Sequence, residues 1–230
     1  MNSRRLACLE VLRMGRGVPL LLVLYLVCDW GFSGCASAPA RYPGYPLGYV
    51  ERGEASWYGP GFHGNRTANG ERYDMHQLTA AHRTLPLGSV AMVRSLTNGR
   101  SVTVRINDRG PFAKGRIIDL SLAAAQTVGM IGAGTDRVEL RVIGYQGRPG
   151  APGALRVQVA SFAEQANAQA LAGRMRGLYP HVRIVAIELP VGRRYRVLVG
   201  QYASEQQATA AADRLEAQFD VEALVLRDDT

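Results

Sequence analysis

Arg105-Ile106-Asn107-Asp108-Arg109-Gly110-Pro111-Phe112 reads as a strand that breaks into a turn, with a carboxylate at the break. Just upstream, Ser101-Val102-Thr103-Val104-Arg105-Ile106 alternates as a half-buried strand does, and Asn98-Gly99 before it is a hairpin signal. The turn therefore presents Asp108 at a strand end, with Gly110 leaving space beside it. A second loop, Phe62-His63-Gly64-Asn65-Arg66-Thr67-Ala68-Asn69-Gly70-Glu71, follows Ser56-Trp57-Tyr58-Gly59-Pro60 and sets Glu71 beside glycine. Further strands are expected at residues 55–58, 78–81, 89–94, 117–120 and 138–143. A short helix over 121–128 starts at the N-cap Ser121. Many short strands and one small helix in about ninety residues predict a small closed β-barrel.

A chain of 230 residues has room for one large or two small domains. Hydrophobic content of 47% with 20% charged residues excludes global disorder. The net charge of +8 favours a polyanionic neighbour: nucleic acid, phospholipid or an acidic wall polymer. No Lys/Arg run or helix-turn-helix pattern is present, so nucleic acid is not expected as a partner. Cys8, Cys28 and Cys35 all precede residue 36, so no disulfide can staple the remainder. His63, His76, His82 and His181 form no cluster with metal-ligand spacing, and neither a metal nor a cofactor is expected.

Acidic groups on Gly-punctuated loops carried by a β framework are a common way to build a glycan-cleaving cleft. Six segments match one family pattern in order: Ser56-Trp57-Tyr58-Gly59, Thr67-Ala68-Asn69-Gly70-Glu71, Leu78-Thr79-Ala80-Ala81-His82, Leu85-Pro86 with Gly88, Asn98-Gly99-Arg100, and Arg105 to Phe112. Over roughly 53–143 the chain resembles the RlpA-like double-psi β-barrel, a six-stranded fold shared with expansins and one family of endoglucanases. The resemblance implies an endolytic peptidoglycan lytic transglycosylase. Such an enzyme cleaves MurNAc–GlcNAc bonds, uses the sugar's own C6 hydroxyl as nucleophile, and leaves 1,6-anhydro-MurNAc ends at the division septum.

On that reading Asp108 is the acid that protonates the leaving oxygen and then takes up the hydroxyl proton. Glu71 is its companion carboxylate, and His82 hydrogen-bonds one of the two. Tyr58, Asn107 and Arg109 are expected to touch substrate, while Trp57 goes to the core. The residues by themselves leave plainer readings open. Asp108 also reads as turn chemistry paired with Arg105 or Arg109, His82 as a core histidine, and Asp119 as a structural group capping the helix start. A non-catalytic septal peptidoglycan-binding lipoprotein is the alternative function.

The N-terminus reads as an address. Arg4, Arg5, Arg13 and Arg16 precede an apolar run over 18–27 and the small residues Ser33-Gly34 before Cys35, the order of a secretory signal. The run is too short to span a bilayer comfortably. Small residues before Cys35 resemble the lipobox of bacterial lipoproteins, with Phe32 where leucine is usual. This implies lipidation of Cys35 and a periplasm-facing membrane location, with Ala36-Ser37 pointing to the outer membrane. The expected division is a signal over 1–34, a lipid-anchored Pro/Gly/Tyr-rich tether over 35–52 and the barrel domain over 53–145. Residues 146–153 form a Pro/Gly linker, and 154–230 the second domain.

That second domain carries an internal repeat at an offset of forty. Val157, Val159, Ala163, Ala168 and Ala172 recur as Val197, Val199, Ala203, Ala208 and Ala212. Each half reads strand, helix, strand, which gives a βαββαβ, ferredoxin-like α+β unit with two helices on one sheet face and the other face open. Val157-Gln158-Val159-Ala160-Ser161-Phe162 and Tyr195-Arg196-Val197-Leu198-Val199-Gly200 resemble the hallmark strands of the SPOR domain, a family that binds glycan strands stripped of stem peptides. Gln158 and Arg196 are expected on the open face, with Phe162 at its rim. The expected partners are peptidoglycan strands, the membrane through Cys35, and divisome proteins.

Overall fold

The computed structural model describes residues 45–146, 153–189 and 191–229. The signal, Cys35, most of the tether and most of the linker lie outside the described residues. The first domain is built from β1 (Val50–Trp57), β2 (Thr79–His82), β3 (Ser89–Ser95), β4 (Ser101–Asp108), β5 (Arg116–Leu120), α1 (Leu122–Val128) and β6 (Asp136–Tyr145). Its six strands close into a barrel in the order β1-β5-β2-β4-β3-β6. The pairs β1/β5 and β2/β4 are parallel and the other four are antiparallel.

Alternation explains the closure. Along β4, Val102, Val104 and Ile106 turn inward while Ser101 and Thr103 face solvent. Those residues join Ile118, Leu120, Val93, Leu140 and Val142 in one core, and each large side chain so buried contributes about 1.5–3 kcal/mol. Ser121 caps α1 by accepting the Ala124 N–H at 3.2 Å. Gly129 ends it at φ +79, a left-handed conformation in which glycine carries no Cβ penalty.

The second domain consists of β7 (Ala154–Phe162), α2 (Gln165–Arg176), β8 (Arg183–Leu189), β9 (Gly192–Tyr202), α3 (Glu205–Phe219) and β10 (Leu224–Asp228). Its antiparallel sheet runs β10-β7-β9-β8. Val157, Val159, Val197 and Val199 pack on one face against Leu171, Ala172, Met175, Ala211, Ala212 and Leu215 from the two helices. The βαββαβ order is as the repeat predicts.

The opposite face departs from expectation, because it is covered rather than open. Gln158 is 7% exposed, Arg196 9% and Leu198 2%. Alternation does put Gln158 and Arg196 off the helix side. It also puts Leu198 there, and such a face needs a cover. The barrel meets that face where Phe112 stacks on the Arg196 guanidinium, and it also holds the domain at the edge strand β10 and at α3. The Arg227 backbone N–H donates to the Arg83 carbonyl at 2.9 Å, and its Nε donates to the Thr84 carbonyl at 2.8 Å. Glu205 on α3 accepts from the Tyr45 hydroxyl and the Thr84 hydroxyl, each at 3.1 Å. Phe162 also leaves its expected place: a register shift between Gln158 and Ala160 reverses the parity of β7, and Phe162 packs on the helix-side core.

Candidate active site

Four adjacent strands place a row of residues at one end of the barrel. Ser56 on β1 pairs with Asp119 on β5, Asp119 with Ala81 on β2, and Ala81 with Asp108 on β4. Asp119 and Asp108 therefore flank a small residue, and side chains in one row share a face. Past the end of β4, Gly110 takes φ +145, which L side chains rarely adopt.

Asp108 is held by three donors. Its Oδ1 accepts the backbone N–H of Ala68 at 2.9 Å and of Arg109 at 2.8 Å, and its Oδ2 accepts the Tyr58 hydroxyl at 3.0 Å. Burial pushes its pKa up, and these bonds only partly oppose that. The Ala68 contact joins the loop between β1 and β2 to the end of β4, bringing the two carboxylate loops together. Tyr58 is packed against Tyr73 at 4.9 Å and Phe62 at 5.4 Å between ring centroids, which fixes its hydroxyl on Asp108. Burial, then the Asp108 charge, raises the Tyr58 pKa.

Glu71 sits in the opposite environment. Its carboxylate forms a two-bonded fork with Arg105 at 3.0 and 2.9 Å and accepts Asn107 Nδ2 at 3.2 Å. Hydrogen bonding from Arg105 leads the causes that hold its pKa down. No hydrogen bond joins Glu71 to Asp108 among the described residues. Asn107, expected on substrate, is 3% exposed and is turned to Glu71 instead.

His82 does not meet either carboxylate as expected. Its Nε2 lies 3.0 Å from Glu51 Oε2, and its Nδ1 accepts the N–H groups of Thr84 at 3.1 Å and Leu85 at 3.0 Å. With Nδ1 occupied as acceptor, the ring proton faces Glu51. The side chain turns away from Asp108 because β2 alternates: Ala81 faces the row and His82 the other side. Arg109, expected on substrate, is pinned as well. Its Nη1 donates to the carbonyls of His82 at 3.1 Å and Leu85 at 2.8 Å, and its Nε to Asp229 at 2.6 Å.

The carboxylate that does couple to Asp108 is Asp119. Burial raises its pKa, Ser56 and Arg116 lower it, and the Asp108 charge raises it further. Ser56 donates to Asp119 and itself receives Arg116 Nη1 at 2.6 Å. Asp119 caps no helix; Ser121 does that. The signal that could have found it is the strand Ile117-Ile118-Asp119-Leu120, where a carboxylate stands among inward-facing apolar residues. On the far wall, Arg196 of the second domain lies with its guanidinium carbon 3.4 Å from the Phe112 ring centroid. Gln158 and Phe162 make no contact with Asp108 in the interactions described. No group of three His, Cys, Asp or Glu side chains among the described residues is placed to hold a metal ion.

A buried carboxyl of raised pKa, with one oxygen saturated by backbone donors and the other meeting a hydroxyl, can give up a proton and take it back. Comparison with known proteins adds an independent line. A family model described as lytic transglycolase matches residues 50–140, and one described as SPOR domain matches 151–227. The endolytic peptidoglycan transglycosylase RlpA of Neisseria meningitidis serogroup B (strain ATCC BAA-335 / MC58) is 40% identical over 168 residues, 71% of this chain and 70% of that protein. Its namesake in Pseudomonas aeruginosa PAO1 is 42% identical over 187 residues, 74% of this chain and 52% of that protein. The Vibrio cholerae relative of the same name is 57% identical over 98 residues, 43% of this chain. The chain spans only 37% of the length of that relative and 36% of its Campylobacter jejuni counterpart.

Proposed function

The chain belongs to the RlpA family of endolytic peptidoglycan transglycosylases, and from that premise we propose that its barrel cleaves MurNAc–GlcNAc bonds with Asp108 as the single acid and base. The protonated Asp108 carboxyl gives its proton to the glycosidic oxygen as the C1–O bond breaks. The C6 hydroxyl of the same muramyl residue then bonds to C1, and its proton returns to Asp108, so the cycle closes without water. Asp119 stands in the same row one strand beyond Ala81, where burial and the Asp108 charge raise its own pKa. Tyr58 aims the reacting oxygen. Glu71, locked to Arg105 and Asn107, shapes the loop that delivers the Ala68 N–H.

The observation that carries this reading is the setting of the Asp108 carboxyl at the end of β4, one oxygen held by the Ala68 and Arg109 N–H groups and the other meeting the Tyr58 hydroxyl. The substrate is peptidoglycan stripped of stem peptides, the SPOR-like domain holds the enzyme on it at the division septum, and a lipid on Cys35 ties the protein to the membrane. The test is incubation of purified protein with peptide-free glycan strands, followed by mass spectrometry of the ends. New 1,6-anhydro-MurNAc termini are expected from the wild type and none from Asp108→Asn. Strands that are bound but left uncut would sink the enzyme reading in favour of a wall-binding protein.

A further inference from the structure

The outer face of the barrel over β1, β6 and β3 carries aliphatic side chains at one end and arginines beside them. Register fixes the neighbours. Val50 on β1 lies opposite Arg141 on β6, which lies opposite Met92 on β3. In the adjoining row, Arg52 lies opposite Glu139, and Glu139 opposite Arg94. Ile143 is skipped where the β3/β6 register shifts between Val90 and Ala91, and this extra residue stays 47% exposed. Val50 is 38% exposed, and Leu47, in the turn before β1, is 49% exposed. The Gly48 N–H donates to the Val142 carbonyl at 2.8 Å, which lays that turn beside Ile143. Three aliphatic side chains therefore stand in water together, next to arginines.

The charges on this face are one-sided. Among the outward residues of β1, β3 and β6, Arg52, Arg94, Arg137 and Arg141 stand against Glu54 and Glu139, four positive against two negative. Arg52 and Arg141 share Glu139 at 2.6 and 3.4 Å, while Arg94 and Arg137 have no ion pair among the described residues. Position along the chain matters as well. The described barrel begins at Tyr45, and nine residues, 36–44, separate it from Cys35. Fully extended, that stretch reaches about 35 Å at most. A chain tied to a bilayer at Cys35 thus holds Leu47 and Val50 to it by the shortest length of backbone.

We propose that this face, with Leu47, Val50 and Ile143 beside Arg94 and Arg141, rests on a bilayer of anionic phospholipid and sets which way the anchored enzyme is turned. Phosphates take the guanidinium forks, and the aliphatic tips enter the headgroup boundary. An acidic wall polymer would meet the arginines but leave the aliphatic groups in water. The proximity rests on lipidation of Cys35, and the chemistry on the register. A lipid by itself holds the chain and leaves the barrel free to rotate; a patch at the tether end removes that freedom.

The test uses the full, processed chain with an environment-sensitive fluorescent amino acid in place of Ile143. A control carries it in place of Leu178, which is 60% exposed in the second domain. Vesicles are phosphatidylcholine alone or an equimolar mixture with phosphatidylglycerol. Sedimentation reports capture, and emission with iodide quenching reports the face. On the mixed vesicles the probe at 143 should shift to the blue and escape iodide, while the probe at 178 stays in water. Arg94→Gln with Arg141→Gln should weaken that contact roughly 10- to 30-fold, and Leu47→Ser, in the turn outside the barrel strands, should weaken it independently. Capture with the 143 probe left in water, or equal shielding at 178, overturns the face and leaves the lipid standing. Capture by mixed vesicles alone, lost in the double variant, removes the lipid and keeps the face. No capture by either vesicle overturns both. Shielding at 143 by glycan strands and not by vesicles overturns the proposal in favour of the wall polymer.

Discussion

Asp108 and Glu71 sit in loops with much the same local chemistry: an asparagine and a glycine close by, arginines on either side, and a strand edge for support. Their environments are opposite. Asp108 is buried, accepts two backbone N–H groups and a phenol, and has its pKa raised. Glu71 has a side chain 46% exposed, is gripped by Arg105, and has its pKa lowered. Desolvation without a guanidinium bonded to the carboxylate favours a proton donor, whereas a bidentate arginine favours the anion. The companion that electrostatics assigns to Asp108 is Asp119, one strand beyond Ala81, rather than the carboxylate of the matching loop.

The hardest blow to this contrast comes from Asp108→Asn. Loss of the proton carrier should lower kcat by on the order of 10²- to 10⁴-fold. Stability should move the other way. The folded pKa of Asp108 lies above its unfolded value, so the native state binds the proton more tightly, and stability falls as pH rises through that folded pKa. Where Asp108 is ionised, its desolvated carboxylate is a liability that Asn lacks. Thermal melts should give the variant an equal or higher Tm at pH 7, with the advantage shrinking toward pH 4. A clear drop in Tm at pH 7 would mean that the three donors outweigh desolvation, and the contrast with Glu71 would weaken.

His82 tests whether a third residue belongs in the comparison. His82→Leu orphans the N–H groups of Thr84 and Leu85 and strips Glu51 of its partner. Denaturant unfolding should show a loss of about 2–4 kcal/mol, with activity per folded molecule within a few-fold of wild type. Full stability with lost activity would return His82 to the catalytic set.

The fold was legible because its signals are local. Alternation in Val102, Val104 and Ile106, the Asn98-Gly99 hairpin and the Ser121 cap each point to the element observed. The turn after β4 is legible in the same way, from Asn107-Asp108 before Gly110-Pro111, with Gly110 at φ +145. What stayed hidden depends on contacts between distant strands. The Asp108–Asp119 row needs the β5-β2-β4 order, and the His82–Glu51 pair spans 31 positions. The buried face of the second sheet was misread because period-2 alternation says which side a residue takes and nothing about what lies on that side. A single bulge in β7 was enough to send Phe162 to the wrong face.

Tyr58→Phe removes one of the three donors to Asp108 while keeping the ring that packs on Phe62 and Tyr73. A drop of roughly 10-fold in kcat is expected for the loss of one hydrogen bond at the reacting group. The pH profile is the sharper measurement. The Tyr58 bond favours ionised Asp108, so its removal should push the acid's pKa higher and carry the alkaline limb of activity to higher pH. A limb that stays put would mean another group titrates there.

The smallest effect should come from Glu71→Gln, and its smallness carries the argument. The Glu71 fork with Arg105 is partly exposed, so its loss should cost no more than about 1 kcal/mol of stability. If Glu71 is the anion that steadies C1, Gln should lower kcat as strongly as a missing catalytic group does. If it only shapes the loop that carries Ala68 to Asp108, Gln can still accept from Arg105 and Asn107, and the loss should stay within about three-fold. Steady-state rates on peptide-free strands separate the two. A loss of a hundred-fold or more would make the two loops equal partners, and the burial difference between Asp108 and Glu71 would then no longer divide catalyst from scaffold.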